Sequence, residues 1–156
     1  MDLGAGAQSR TSVRHATEAD APAIAVLMAQ LGYPDTVAAI AARVVRAGPE
    51  GPDAVLVAEH DGIAAGVAGV HLIPLFHRDG FLARITSFVV ASHLYGRGIG
   101  SALLAACERW AADHLAERVE ITSGDERDEA HGFYEHRGFA REGQRFSKWL
   151  RGEGPT

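Results

Sequence analysis

The sequence predicts a mixed α+β domain around one central sheet, and three observations carry that reading. β-Branched runs flank Asp61-Gly62 and Asp79-Gly80, dipeptides that mark tight antiparallel turns. Apolar residues recur at helical spacing at Ile24, Leu27, Met28 and Leu31, and again at Leu103, Leu104, Cys107, Trp110 and Ala111. A strand, a glycine-rich turn and a helix follow one another without a break from Ile85 to Leu104, ITSFVVASHLYGRGIGSALL. Antiparallel hairpins followed by a crossover give the order β-α-α-β-β-β-α-β-α-β.

Each element has its local reason. A short strand at Ser12–His15 leads to Thr17, an N-cap with Asp20 three residues on, and Gly32 ends the helix that follows. A second helix, Asp35–Ala47, stops at Gly48-Pro49. Strands at Ala54–His60 and Ile63–Leu75 form a hairpin, with Gly66 and Gly69 predicted to make bulges in the second. The strand over Ile85–Val90 and the long helix come next, then a strand at Arg118–Thr122 and a polar loop, SGDERDE. A short helix, Ala130–His136, turns at Gly138-Phe139, and Phe146–Leu150 is predicted to close the sheet as a final strand. The small-residue segments 1–11 and 152–156 are expected to be disordered tails around a single domain, 12–151.

Composition removes several classes of function. A chain of 156 residues with 47% hydrophobic and 22% charged residues is an ordinary globular composition. A net charge of −5 with no dominant Lys/Arg cluster argues against nucleic-acid binding. The single cysteine, Cys107, excludes an internal disulfide, and its place on an apolar helix face marks it as core. The eight histidines show no ligand spacing, so no metal is expected. No apolar run is long enough to cross a bilayer, and the first residues lack the regions of a signal peptide. A cytoplasmic enzyme or binding domain without membrane contact is therefore expected.

The glycine turn carries the chemistry. A glycine-rich loop at a helix N-terminus aims unpaired N–H groups and the positive end of the helix dipole at one spot, which suits a phosphate or pyrophosphate. A dinucleotide fingerprint needs a further glycine where Ser101 or Leu103 stands, and no Gly-Lys-Ser/Thr follows.

Two segments together resemble the GCN5-related N-acetyltransferase family. One is the strand with its Tyr95-Gly96-Arg97-Gly98-Ile99-Gly100-Ser101 loop, and the other is AHGFYEHRGF, from Ala130 to Phe139. The resemblance runs from about Val13 to Leu150 and implies a mostly antiparallel sheet flanked by helices. It also implies acetyl-CoA as co-substrate and a small-molecule or peptide amine as acceptor. On that resemblance, the loop from Tyr95 to Ser101, through Gly96, Arg97, Gly98, Ile99 and Gly100, holds the pyrophosphate. Val89 and Val90 pair with the pantetheine arm, and Arg127 and Phe133 belong to the cofactor side. Tyr134 protonates the departing thiolate, because a phenol still holds its proton at neutral pH.

Three departures from the family pattern stand out. Tyr95 occupies a place usually held by Arg or Gln, and Arg127 one where many relatives have Asn. Arg84 stands where some relatives have a glutamate base, so the base must lie elsewhere. Glu120 alternates with Val119 and Ile121 and is the first candidate, the other reading being a solvated carboxylate on a half-exposed strand. Glu59, His71, Asp125 and His131 are weaker candidates. Arg84 either clamps an anionic group of the acceptor or forms a salt bridge. His71 and Tyr33, the latter followed by Pro34, are assigned to the acceptor side. The competing class is a non-catalytic acyl-CoA-binding or regulatory module on the same fold, and an exposed sheet edge would suit a homodimer.

Overall fold

The computed structural model describes residues 10–122, 128–152 and 154. Two compact units divide the chain, Met1–Thr122 and Ser123–Thr156. The first unit contains β1 (Thr11–His15), α1 (Ala21–Leu31), α2 (Val37–Ala47), β2 (Asp53–His60), β3 (Ile63–Pro74) and β4 (Phe81–Val90). It continues with α3 (Ile99–Asp113) and β5 (Ala116–Ile121).

Its five strands lie in sequence order, β1-β2-β3-β4-β5. The first three pairs are antiparallel, β2–β3 and β3–β4 through short turns and β1–β2 across the two helices, and among the described residues only β4–β5, joined through α3, is parallel. Asp61 and Gly62 both take positive φ (51° and 80°), the geometry of the tight hairpin turn expected there. Of the two bulges predicted in β3, the one at Gly66 is present, with Ala65 as the extra residue, whereas the one at Gly69 lies across the ladder in β4, where Thr86 is extra. Register slips between Ala58 and Glu59, opposite Gly66, and again between Gly69 and Val70. Gly66 has a packing reason as well: a Cβ there would lie 3.2 Å from Val89 O and 3.4 Å from Leu103 Cδ2.

Both faces of the sheet are covered. Ile24 and Leu27 of α1 and Ile40 and Val44 of α2 pack with Val57, Val67 and Val89. α3 packs on β1 to β5 and buries Leu103, Leu104 and Cys107 fully. Truncating Leu103 to alanine in so closed a setting costs about 3 kcal/mol. Burial also pushes the Cys107 thiol up to about 12, so it stays a neutral core group.

Thr17 caps a 3₁₀ turn, Glu18–Asp20, that leads into α1, its N–H donating to Asp20 Oδ2 at 2.7 Å, and α1 ends at Gly32 in the left-handed region (φ 104°). Asp20 is buried and accepts Arg14 Nη1 at 2.7 Å and Nη2 at 2.9 Å, while Arg14 also bridges Glu59. This network ties β1, β2 and the start of α1 together.

The second unit holds α4 (Asp128–His136). Phe139 N–H bonds Tyr134 O and Gly138 N–H bonds Glu135 O, with Gly138 at φ 91°. That pattern is a Schellman stop, and it explains the Gly138-Phe139 pair. The final strand predicted over Phe146–Leu150 is a correction: among the described residues that segment has no ladder partner and is irregular. Alternation of Phe146, Lys148 and Leu150 is a local signal, but a strand exists only where a neighbour takes its backbone hydrogen bonds. Phe146 and Leu150 are each 89% exposed. At the other end, β1 opens at Thr11, within the segment read as a tail, and residues 1–9 lie outside the described residues.

Candidate functional site

The site is built where β4 ends. β4 is in register with β5 from Phe81 to Ile85, and then runs on through Thr86–Val90 beyond the last pair, Ile85 with Ile121. Ala91 N–H donates to Ala65 O on β3, and backbone groups alternate sides along a strand. Val89 therefore turns its backbone towards β3, and Val90 turns to the opposite edge. There Val90 O accepts from Gln30 Nε2 at 2.8 Å. Gln30 Oε1 in turn accepts Ser92 N–H at 2.9 Å, so one α1 side chain pins the end of β4 and the start of the loop. Sequence reasoning missed Gln30; its signal is a lone amide in the otherwise apolar run of α1, APAIAVLMAQL.

A single 3₁₀ turn, Ser92–Leu94, hands the chain to the glycine loop. Gly96 (φ 82°) and Gly98 (φ 80°) are both left-handed, and a Cβ at either would meet nothing within 4 Å. Glycine is required here for backbone conformation and not for space. Gly98 is the N-cap of α3 and offers no capping side chain. The first helical bond is Ala102 N–H to Gly98 O, so the N–H groups of Ile99 and Gly100 precede the helical ladder. Tyr95, Gly96, Arg97 and Gly98 are exposed, while Ile99 is buried and anchors the turn. An exposed helix start without a cap, reached through two left-handed glycines, fits a pyrophosphate.

Further back along β4, on the sheet face that carries α1 and α2, strand register places four charged or titratable side chains in one row. Asp53 of β2 is opposite His71 of β3, His71 is opposite Arg84 of β4, and Arg84 is opposite Glu120 of β5. Arg84 Nη2 donates to Glu120 Oε2 at 2.9 Å, and Arg118 Nη2 lies 2.9 Å from Glu120 Oε1. Of the two readings for Arg84, the salt bridge is the one formed, and Glu120 has both oxygens engaged by guanidinium groups. His71 Nδ1 lies 2.8 Å from Asp53 Oδ1, and Nε2 lies 2.7 Å from Thr86 Oγ1. Asp53 and Thr86 were not singled out from the sequence, because the pairing of Asp53 depends on the bulge opposite Ala58 and the position of Thr86 on the one opposite Gly69.

The remaining candidates fall elsewhere. Tyr33 is exposed beyond the end of α1, where its N–H bonds Met28 O. Glu59 belongs to the Arg14 network. Asp125 and Arg127 lie outside the described residues. In the second unit, Tyr134 is half-buried on α4 between Phe133 (ring centroids 5.4 Å apart) and Phe139 (6.0 Å). Arg137 covers the other ring, 3.6 Å above the Phe133 centroid. His131 is also on α4. Among the described residues no group of three or more His, Cys, Asp or Glu could hold a metal ion, and no helix is long and apolar enough to cross a membrane.

Comparison with known proteins gives the same picture from another direction. The sequence pattern described as "Acetyltransferase (GNAT) family" matches residues 25–139. An aminoalkylphosphonate N-acetyltransferase of Salmonella typhimurium is 32% identical over 94 residues, 60% of this chain and 61% of that protein. The match thus spans about three-fifths of the relative's length. An aminoglycoside N-acetyltransferase solved in complex with CoA superposes with a TM-score of 0.79 at 18% identity, covering 92% of this chain and 96% of its own. Glucosamine-6-phosphate N-acetyltransferase from Arabidopsis thaliana gives 0.78 at 20% identity, over 90% and 99%. At these identities the structural likeness is one of fold.

Proposed function

This chain belongs to the acetyltransferase (GNAT) family, and on that premise we propose that it moves the acetyl group of acetyl-CoA to a primary amine by direct attack in a ternary complex. The observation that carries the reading is the uncapped start of α3 behind the left-handed glycines Gly96 and Gly98, at the end of a β4 that outruns its β5 partner. The loop holds the pyrophosphate through backbone N–H groups and the helix dipole, with Arg97 adding a charge. The edge of β4 beyond its last β5 pair, at Val90, offers a backbone track for the pantetheine arm, and N–H groups there polarise the thioester carbonyl as negative charge grows on its oxygen.

The amine attacks the thioester carbonyl, and the tetrahedral intermediate expels CoA as thiolate. Tyr134, the tyrosine of the family's short-helix signature, donates its phenolic proton to that sulfur. No acyl-enzyme is needed, and the buried Cys107, with its raised thiol pKa, is not a nucleophile.

The test follows CoA thiol release at saturating acetyl-CoA across amine classes. Aminoalkylphosphonates come first, then aminoglycosides, amino sugar phosphates and peptide N-termini. Turnover with at least one class is expected. Tight CoA binding without thiol release from any amine would instead establish a non-catalytic acyl-CoA-binding module.

A further inference from the structure

Building on that acetyl-transfer reading, we propose that Thr86, His71 and Asp53 form the proton relay that deprotonates the acceptor amine. An alkylamine arrives as an ammonium ion and has no lone pair for attack until a proton leaves. Glu120, the carboxylate at the other end of the row from Asp53, is already held by Arg84 and Arg118. His71 is arranged differently, with a carboxylate on one nitrogen and a hydroxyl on the other.

The chemistry of the partners assigns the tautomer. A carboxylate only accepts, so Nδ1 carries the hydrogen and donates it to Asp53 Oδ1. Nε2 then presents its lone pair and accepts from the Thr86 hydroxyl. Thr86 is the extra residue of the β4 bulge: register runs from Gly69 with Ser87 directly to Val70 with Ile85. A bulge releases a side chain from ladder pairing and re-aims it, here onto the imidazole.

Gly69 leaves the approach open. A Cβ at Gly69 would lie 3.8 Å from Thr86 Oγ1 and 3.9 Å from His71 Nε2, so its absence uncovers the hydrogen bond on the sheet face. Thr86 is exposed, and His71 is 39% exposed, so the proton has a route onward to water. The step balances. The ammonium N–H proton passes to Thr86 Oγ while the hydroxyl's own proton moves to Nε2. The products are a neutral amine, an intact threonine and an imidazolium paired with Asp53. Thr86 touches the acceptor, and Asp53 is a positioning residue that fixes tautomer and ring orientation.

The experiment compares two nucleophiles over the uncatalysed rate: the alkylamine with the highest turnover in the panel, and hydroxylamine, which is largely unprotonated at pH 7.5. For the alkylamine, His71→Gln and Thr86→Val are each expected to lower kcat about 100-fold, with KM for acetyl-CoA unchanged. Asp53→Asn should lower it about 10-fold. With hydroxylamine all three should stay within about two-fold of wild type, and Thr86→Ser, which keeps the hydroxyl, should retain alkylamine turnover. Equal loss with both nucleophiles, or no loss with either, overturns the relay. ¹⁵N spectra of the unmutated protein supply a second measurement independent of variant folding: an Nδ1–H ring at His71 is expected, and an Nε2–H ring overturns the assignment. Inactivity of the wild-type protein with every amine would remove the acetyl-transfer reading itself, whereas full activity of His71→Gln removes only the relay.

Discussion

Tyr134 shows how far one residue can be read from its neighbours in the chain. Its aromatic partners Phe133 and Phe139 and the Schellman stop at Gly138 are local, and the motif AHGFYEHRGF displays all of them. Replacing it with phenylalanine removes one oxygen and keeps the ring packing. Tyr134→Phe is therefore expected to lower turnover about 100-fold at saturating substrates while leaving acetyl-CoA affinity within about two-fold, measured by calorimetry. Undiminished turnover would remove Tyr134 from the acid role. His71 is the opposite case. Its histidine was visible as a candidate, but its meaning depends on Asp53 and Thr86, which lie 18 and 15 positions away in sequence. Nothing local marks an aspartate that opens one strand as the partner of a histidine late in the next.

At the scale of elements, the strand–loop–helix unit from β4 to α3 was legible because its requirements are conformational. Two glycines with positive φ must precede an uncapped helix start, and the sequence spells both. Gly98→Ala places a methyl in open space, so steric contact contributes nothing. Its cost is the left-handed backbone, about 1–2 kcal/mol. Shifting the first-turn N–H groups should also weaken CoA binding about 10-fold, and calorimetry with CoA checks it. Unchanged affinity would mean that the pyrophosphate is held elsewhere. The final strand at Phe146–Leu150 was misread because alternation reports only which side chains share a face. Whether a neighbour offers a ladder is not written in that pattern.

Across the molecule, the Arg14–Asp20–Glu59 network joins elements that are distant in the chain. Hydrogen bonds from Arg14, then from Thr17 N–H, hold the Asp20 carboxyl below the ordinary carboxylate range against the opposing effect of burial. A carboxyl with a depressed folded pKa stabilises the fold fully above its unfolded value of about 4 and loses that contribution as acid protonates it. Denaturant midpoints should therefore fall as pH drops below about 4. Asp20→Ala should cost about 2 kcal/mol at pH 7 and flatten the acid dependence. An unaltered acid slope would show that other carboxylates dominate acid unfolding.

By itself the sequence determined the helices, the first five strands, the turns, the glycine loop and the aromatic helix, because each depends on backbone conformation or on neighbours within a few residues. It also carried the family resemblance, which rests on those same local segments. Only the tertiary structure decided which side chains share a face and a row: Asp53 beside His71, His71 beside Arg84, Arg84 beside Glu120. One bulge at Gly69 sets the alignment of β4 against β3, and a slip of one residue would turn Arg84 to the other face. The polar chemistry of the sheet depends on strand register, and register is settled only when the strands pair.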